Sequence, residues 1–376
     1  MERFLPGLVR AAISSSLIML MAGCAKGNLS PAPTPTPAPG NAFVYTANAG
    51  GNSISGFAND ATGALTAVPG SPFASPGQPF GLAATPDNKF LYVSSFQTAV
   101  VTGFSISPAN GSLTPLACSP TAATGAQPLK IAINPAGTFL YTANQVGSVS
   151  GFSINTTTGC LTAVSTIATD TVARGLTIER AGQFLYVVTG GGGIDLFSIA
   201  TNGILTRLVS GGFDSGTTTM LAVKASPTSD VLIATDGGST NNFRTFAIDT
   251  LTGALTPVTT TVSSGPLTPS AIAYNPFLDP TTPFFYIANT GTNNFTSNQV
   301  GTNGVIGVNN QVVSDPTGPV DLAVDPTGKF LYVANNGSSN VAAFNANINT
   351  SNADIAFISA AAAGSGPESI VVVGHP

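Results

Sequence analysis

The sequence predicts an all-β fold, a seven-bladed β-propeller with four-stranded blades. An apolar segment of the type Phe-Leu-Tyr recurs seven times, with 45 to 53 residues between successive copies. Only 7% of the residues are charged, whereas the chain has 42 glycines and 28 prolines, a composition typical of short strands joined by tight turns. The copies start at Phe43, Phe90, Phe139, Phe184, a weaker Val231, Phe284 and Phe330.

Each repeat contains signals for four strands. Residues 318–335 are typical of a strand, a proline turn at Pro326 and a second strand. A third strand follows, as in residues 149–154, and a Thr-Gly or Asn-Gly turn such as Thr62-Gly63 leads into a fourth. Four strands in about 48 residues match a propeller blade. The first two strands are apolar at almost every position, so neighbouring blades must cover both of their faces.

The ends of the chain predict how the ring closes. The first repeat begins directly with a second strand at Phe43, and the chain finishes with an unpaired first strand at residues 367–373. We therefore expect the C-terminal strand to complete the N-terminal blade and leave no open edge. An open array and an eight-bladed ring are the alternatives. The sixth repeat is the least regular, because an asparagine-rich insert occupies residues 289–310.

The N-terminal region predicts an exported bacterial lipoprotein. Residues 1–23 have the order of a signal peptide, and Met21-Ala22-Gly23-Cys24 resembles a lipobox, which predicts lipidation of Cys24. A plain secretory signal is the alternative. Residues 24–40 form a proline-rich linker, and residues 41–376 form the propeller. We expect an extracytoplasmic domain in the bacterial cell envelope, tethered through its lipid to the outer membrane.

Two further cysteines, Cys118 and Cys160, lie in repeats two and three. Our scheme places them at opposite ends of outer strands. Strands of five or six residues span roughly 17 to 20 Å, beyond the reach of a disulfide. The sequence therefore predicts two buried free thiols.

Charge and motifs exclude several classes of partner. The formal net charge is −5 and no basic tract is present, so we expect no nucleic acid. The glycine run at residues 190–193 lacks the lysine of a phosphate-binding loop, and the aspartates follow no calcium-loop pattern. We expect a monomer with no cofactor and no metal.

Several motifs resemble those of the lactonase-type seven-bladed propellers, also called YVTN-repeat proteins. They are Phe-Leu-Tyr-Val-Ala-Asn at 330–335, Ser-Gly-Phe-Ser-Ile at 150–154, Thr-Gly-Ala-Leu-Thr at 62–66 and Pro-x-x-Leu-Ala-Val-x-Pro at 319–326. The resemblance covers residues 41–376. It implies a fold shared with 6-phosphogluconolactonases, in which charged and histidine side chains at the channel mouth handle an anionic substrate.

The histidines of that pattern are missing here. The positions after the opening proline hold Phe80, Leu129 and Ser270, and the single histidine, His375, is the penultimate residue. A serine-histidine triad and a histidine zinc site are therefore not expected.

Four charged residues remain at the predicted channel mouth. The two residues after each opening proline, or after the residue equivalent to it, should surround the axis, and Lys130, Arg174, Asp321 and Glu368 are charged. In an enzyme, either cation would polarise a lactone carbonyl while either carboxylate activates water. The alternatives are two solvated ion pairs, or charges that simply keep the channel wet. The other ten positions are Phe80, Gly81, Leu129, Gly175, Thr219, Met220, Ser270, Ala271, Val320 and Ser369.

The sequence leaves three functions open. The favoured one is a surface-tethered, non-catalytic propeller that binds a polymer, a small polar ligand or a protein through its loop face and channel mouth. The second is an extracytoplasmic lactone hydrolase, and the third is a purely structural envelope protein. The fold alone does not choose among them.

Overall fold

The computed structural model describes residues 39–75, 77–119, 122–209, 213, 219–237, 242–263, 268–275, 283–307, 311–314, 317–346 and 355–374. The predicted signal peptide, Cys24, most of the linker and His375 lie outside these residues. The described residues belong to one compact unit, Pro37–Pro376. No helix within them is long and apolar enough to cross a membrane.

Seven antiparallel sheets, one for each predicted blade, make up the described part of this unit. Blade 1 contains β1 (Pro39–Asn48), β2 (Ser53–Asp60), β3 (Leu65–Ala67) and β4 (Phe73–Ala74). Blade 2 contains β5 (Pro79–Ala84), β6 (Phe90–Ser95), β7 (Val100–Ile106), β8 (Leu113–Pro115) and β9 (Ala122–Ala123). Blade 3 contains β10 (Pro128–Ile133), β11 (Phe139–Asn144), β12 (Ser148–Ile154) and β13 (Leu161–Ala168). Blade 4 contains β14 (Ala173–Ile178), β15 (Phe184–Thr189), β16 (Ile194–Ile199) and β17 (Leu205–Val209).

The remaining three blades follow the same order. Blade 5 contains β18 (Met220–Ala225), β19 (Val231–Asp236), β20 (Asn242–Ile248) and β21 (Leu255–Ser263). Blade 6 contains β22 (Pro269–Asn275), β23 (Phe284–Asn289), a one-turn 3-10 helix (Thr290–Thr292), β24 (Asn294–Gln299) and β25 (Gln311–Ser314). Blade 7 contains β26 (Pro319–Val324), β27 (Phe330–Asn335), β28 (Asn340–Asn345) and β29 (Ala356–Ala362). The last strand is β30 (Pro367–Gly374).

The C-terminal strand closes the ring as predicted. β30 pairs antiparallel with β1, and Thr46 lies opposite Ile370. β30 is therefore the innermost strand of blade 1, and it contacts the innermost strands of blade 2 and blade 7. The prediction of seven blades is confirmed, and the open array and the eight-bladed ring are excluded.

The repeated Phe-x-Tyr motif joins each of blades 1 to 4 to the blade that follows it. The Tyr92 hydroxyl of blade 2 donates to the Gly159 carbonyl in the outer turn of blade 3 at 2.6 Å. Gly159 has φ of +74° and lies against the Phe90 ring, where a Cβ atom would come within 2.6 Å of Cδ1. Such a left-handed, crowded turn requires glycine. The same hydroxyl bond links Tyr45 to Gly111, Tyr141 to Gly203, and Tyr186 to Gly253.

This docking of outer turns explains why the prediction of free thiols was wrong. Cys118 and Cys160 form a disulfide, with their Cα atoms 5.9 Å apart. β8 ends at Pro115, so Cys118 lies close to Leu116 instead of at the far end of a long strand. Cys160 follows Gly159, whose turn packs onto Leu116 and Phe90 of blade 2. Both cysteines are half-buried. Their disulfide covalently links blades 2 and 3 next to the contact between Tyr92 and Gly159.

Candidate functional site

A cavity of about 690 Å³ occupies the central channel, and the innermost strands of the seven blades line it. These strands all start at the same level along the channel. The first residue of each innermost strand pairs with the last residue of the neighbouring strand in its own blade, and for β30 that neighbour is β1. Positions can therefore be counted from that end, here called the mouth. The first residues are Pro79, Pro128, Ala173, Met220, Pro269, Pro319 and Pro367.

This register corrects the sequence prediction for blade 5. The mouth residues were predicted as Thr219 and Met220, but Met220 pairs with Asp236 and takes the place of the opening proline. The two residues after it are Leu221 and Ala222. Without a proline in this repeat, the sequence offered no marker for the start of the strand.

Two of the predicted site residues meet across the channel. Lys130 of blade 3 and Asp321 of blade 7 occupy the third position of their strands, and Lys130 Nζ lies 3.2 Å from Asp321 Oδ2. The lysine also donates to the Glu368 backbone carbonyl of blade 1 at 3.2 Å. Asp321 Oδ2 further accepts the Ser369 hydroxyl at 2.8 Å and the Ile370 N–H at 3.3 Å. The ion pair and its hydrogen bonds thus connect blades 3, 7 and 1 across the channel. The Lys130 side chain is 28% exposed and the Asp321 side chain is 16% exposed.

Glycines hold the third position on the blades beside Lys130 and allow neighbouring innermost strands to pack closely. Gly81 and Gly175 hold the third position in blades 2 and 4. A Cβ atom on Gly81 would lie 2.4 Å from the Leu129 carbonyl oxygen and 2.9 Å from the Lys130 Cα atom. Blade 2 therefore packs directly on the Lys130 backbone, and the neighbouring strands add no side chain to this level.

The other two predicted residues, Arg174 and Glu368, do not line the cavity. Both hold the second position, which lies in a β-bulge, and the bulge turns their side chains away from the axis. Arg174 Nε is buried against Gly190. Glu368 Oε1 accepts the Asn336 amide at 2.7 Å. Burial raises the pKa of Glu368, against the opposing effects of Lys130 and Asn336. The four candidates therefore do not form one site.

A lysine that the sequence analysis missed faces the same cavity. Lys224 of blade 5 is the fifth residue of β18, two positions deeper than Lys130. Its side chain is exposed to the channel, and the innermost strands of the seven blades surround that channel. Desolvation lowers the pKa of Lys224, Lys130 adds to this effect, and Asp321 opposes it. At the same level the other strands carry Ala83, Ala132, Thr177, Ala273, Ala323 and Val371.

Five charged side chains line the cavity, and four of them have partners. Lys130 pairs with Asp321, and Arg180 forms two hydrogen bonds with Asp230, at 2.8 and 3.1 Å. Glu179 accepts backbone N–H groups of its own turn, including that of Phe184 at 3.1 Å. Within the described part of the chain, Lys224 Nζ has neither a hydrogen bond nor an ion pair. Lys224 is thus the charged side chain of the cavity that has no hydrogen-bonded or ion-paired partner among the described residues.

The described residues contain no group of three or more histidine, cysteine, aspartate or glutamate side chains that could hold a metal ion.

A family model for the lactonase seven-bladed β-propellers matches residues 36–121, 69–173 and 244–372, more than half of the chain. The chain belongs to this family. The recurring motifs quoted above lie within the matched residues, and the lactonase propeller fold agrees with the seven blades of the structure. No curated protein sequence matches the chain significantly.

Solved structures similar to this lactonase-family chain share its fold at low sequence identity. A protein of Bacteroides uniformis, proposed to be a 6-phosphogluconolactonase, is 17% identical with a TM-score of 0.74, over 89% of this chain and 99% of that one. A protein of Bacteroides fragilis with the same proposed activity is 19% identical with a TM-score of 0.74, over 91% and 99% of the two chains. The periplasmic gluconolactonase of Pseudomonas aeruginosa is 17% identical with a TM-score of 0.72, over 89% and 99%.

Proposed function

We propose that this propeller binds a small carboxylate-bearing ligand in its central channel, with Lys224 as the main cationic contact. The observation that carries the proposal is the Lys224 ammonium, which lines the central channel and has no hydrogen bond or ion pair with the described residues. A ligand that brings a carboxylate to this ammonium gains a charge-assisted hydrogen bond. A cavity of about 690 Å³ also lies within the range of small-molecule sites.

Lys130 adds a second contact for the same ligand. Its ammonium is held above Lys224 by Asp321 and by the Glu368 carbonyl, so it is already positioned before a ligand arrives. A positioned donor loses little conformational freedom on binding. The aliphatic residues around Lys224 would contact the ligand body, and the two amines would fix its carboxylate.

Calorimetric titration with lactate and with uncharged lactamide tests this proposal. We expect lactate to bind and lactamide to bind far more weakly. A charge-assisted hydrogen bond contributes about 1.5 to 3 kcal/mol, so Lys224→Met should weaken lactate binding about tenfold to a hundredfold. Lys89→Met is the matched control, because Lys89 is 65% exposed and pairs with Asp87 outside the channel. Equal affinities in the two variants would contradict the proposal.

Lactone hydrolysis is the second candidate, and the Lys130–Asp321 pair favours it. An ammonium and a carboxylate at one end of a cavity can polarise a carbonyl and activate water. Asp321 already accepts four hydrogen bonds, however, so a reacting water must first displace one donor. Turnover of a lactone panel by wild type that is lost in Asp321→Asn would favour an enzyme. Arg174→Ala serves as the control, because Arg174 does not line the cavity.

The membrane anchor is part of the proposal. Lipidation of Cys24 would tether the propeller outside the cytoplasm through the proline-rich linker. The Cys118–Cys160 disulfide supports an extracytoplasmic location, since disulfides persist in oxidising compartments. A propeller that binds neither lactate nor lactones would leave a structural envelope role.

A further inference from the structure

Lys224 differs from the other described lysines in its surroundings. Lys89 pairs with Asp87 on the surface, Lys130 pairs with Asp321, and Lys329 is exposed in a turn. Lys224 instead lines the central channel, and its Nζ atom has no hydrogen bond or ion pair with the described residues. An amine nitrogen with no hydrogen-bonded partner is accessible to a reactive group of a ligand.

The surroundings of Lys224 lower the pKa of its amine below the ordinary value of lysine. Desolvation within the ring of innermost strands is the main cause, Asp321 opposes it, and the nearby Lys130 cation adds to it. Six uncharged residues share its level in the channel, so no carboxylate stands beside it there. Desolvation and a second cation are the two conditions that make lysine a nucleophile in proteins.

We infer that Lys224 is a covalent capture site for small carbonyl compounds, and in particular for 2-oxo acids. The carboxylate of the oxo acid would lie against the Lys130 ammonium, with its carbonyl carbon next to Lys224 Nζ. This placement of the carboxylate rests on the proposed function, whereas the capture chemistry rests on Lys224 alone.

The step is a reversible condensation that needs no oxidant or reductant. The Lys224 lone pair forms a bond to the carbonyl carbon, and the carbonyl π pair moves to oxygen, which takes a proton. The nitrogen releases a proton, and the hydroxyl takes up a proton and leaves as water while the nitrogen lone pair forms the C=N bond. Loss of the remaining N–H proton then gives the neutral imine. One amine and one carbonyl compound thus give one imine and one water.

Reductive trapping tests the inference on the full chain. The protein is incubated near neutral pH with pyruvate and cyanoborohydride, which delivers hydride to an imine carbon, and each lysine is quantified by peptide mass spectrometry. We expect a carboxyethyl group on Lys224 at least tenfold more often than on Lys89 or Lys329. Formaldehyde replaces pyruvate in a parallel reaction, as a test of whether a small carbonyl compound reaches the amine.

The outcomes separate this inference from anion binding. Lys224→Arg keeps the charge but removes the nucleophile, so it should abolish trapping at this position and still bind lactate. Lactate binding without preferential trapping at Lys224, by pyruvate or by formaldehyde, would overturn the capture site and leave the proposed function intact. Methylation by formaldehyde without trapping of pyruvate would overturn the oxo acid as the captured class. Trapping of pyruvate in a protein that does not bind lactate would support capture and contradict the anion site.

Discussion

Loss of the disulfide between blades 2 and 3 should have a large and measurable effect on stability. Cys118 and Cys160 are 42 positions apart in sequence. The chain-entropy relation gives about 13 cal/mol/K for a loop of this size, or about 4 kcal/mol at 25 °C. Unfolding entropies of about 2.1 cal/mol/K per residue amount to ~0.7 kcal/mol/K for the unit Pro37–Pro376. Cys118→Ser with Cys160→Ser should therefore lower the Tm by about 5 to 6 °C.

Thermal unfolding followed by circular dichroism, without reductant, is the assay. Each single serine variant should lose as much stability as the double variant, because either substitution breaks the same bond. Wild type treated with a reductant should match the variants. A Tm unchanged to within about 1 °C would refute the entropic reasoning. A non-reduced digest with no joined Cys118 and Cys160 peptides would refute the disulfide itself.

Three further perturbations have definite expected outcomes. Tyr92→Phe removes the donor to the buried Gly159 carbonyl and should lower the free energy of unfolding by about 1 to 3 kcal/mol in urea titrations, and an unchanged midpoint would contradict this role. Lys224→Met should be more stable than wild type below the folded-state pKa of Lys224, and the difference should shrink as pH rises toward 10.5, because only the charged form is penalised by enclosure. A stability difference that is the same at both ends of this pH range would argue against an enclosed charge. Cys24→Ser should move the protein from the detergent phase to the aqueous phase in a detergent partition experiment, and wild type found in the aqueous phase would contradict lipidation.

The repeats predicted the architecture because each blade carries its own local signals. The Phe-x-Tyr segment, the proline turn and the Thr-Gly turn recur in fixed order, so seven copies and one unpaired strand determine both the number of blades and the closure. The structure adds the physical reason for the motif: its tyrosine hydroxyl and phenylalanine ring hold the outer turn of the next blade, as at Tyr92 and Gly159.

The site was predicted only in part, because its geometry depends on contacts between blades. Lys130 and Asp321 were both named, but their pairing across the ring required the register of blades 3 and 7. Arg174 and Glu368 were misplaced, because the bulge at the second position of each innermost strand is not visible in the sequence. Lys224 was missed because only the first two positions after each opening proline were considered. A comparison of the fifth positions would have found it as the single charge in that row.

The most direct test of a carboxylate site in the channel is a crystal structure of the protein with 4-bromobenzoate, whose bromine gives an anomalous signal. The account predicts a bromine peak inside the channel, with the carboxylate within about 3 Å of Lys224 Nζ and close to Lys130. A channel that holds only solvent, or a carboxylate bound instead on the loop face, would contradict the account.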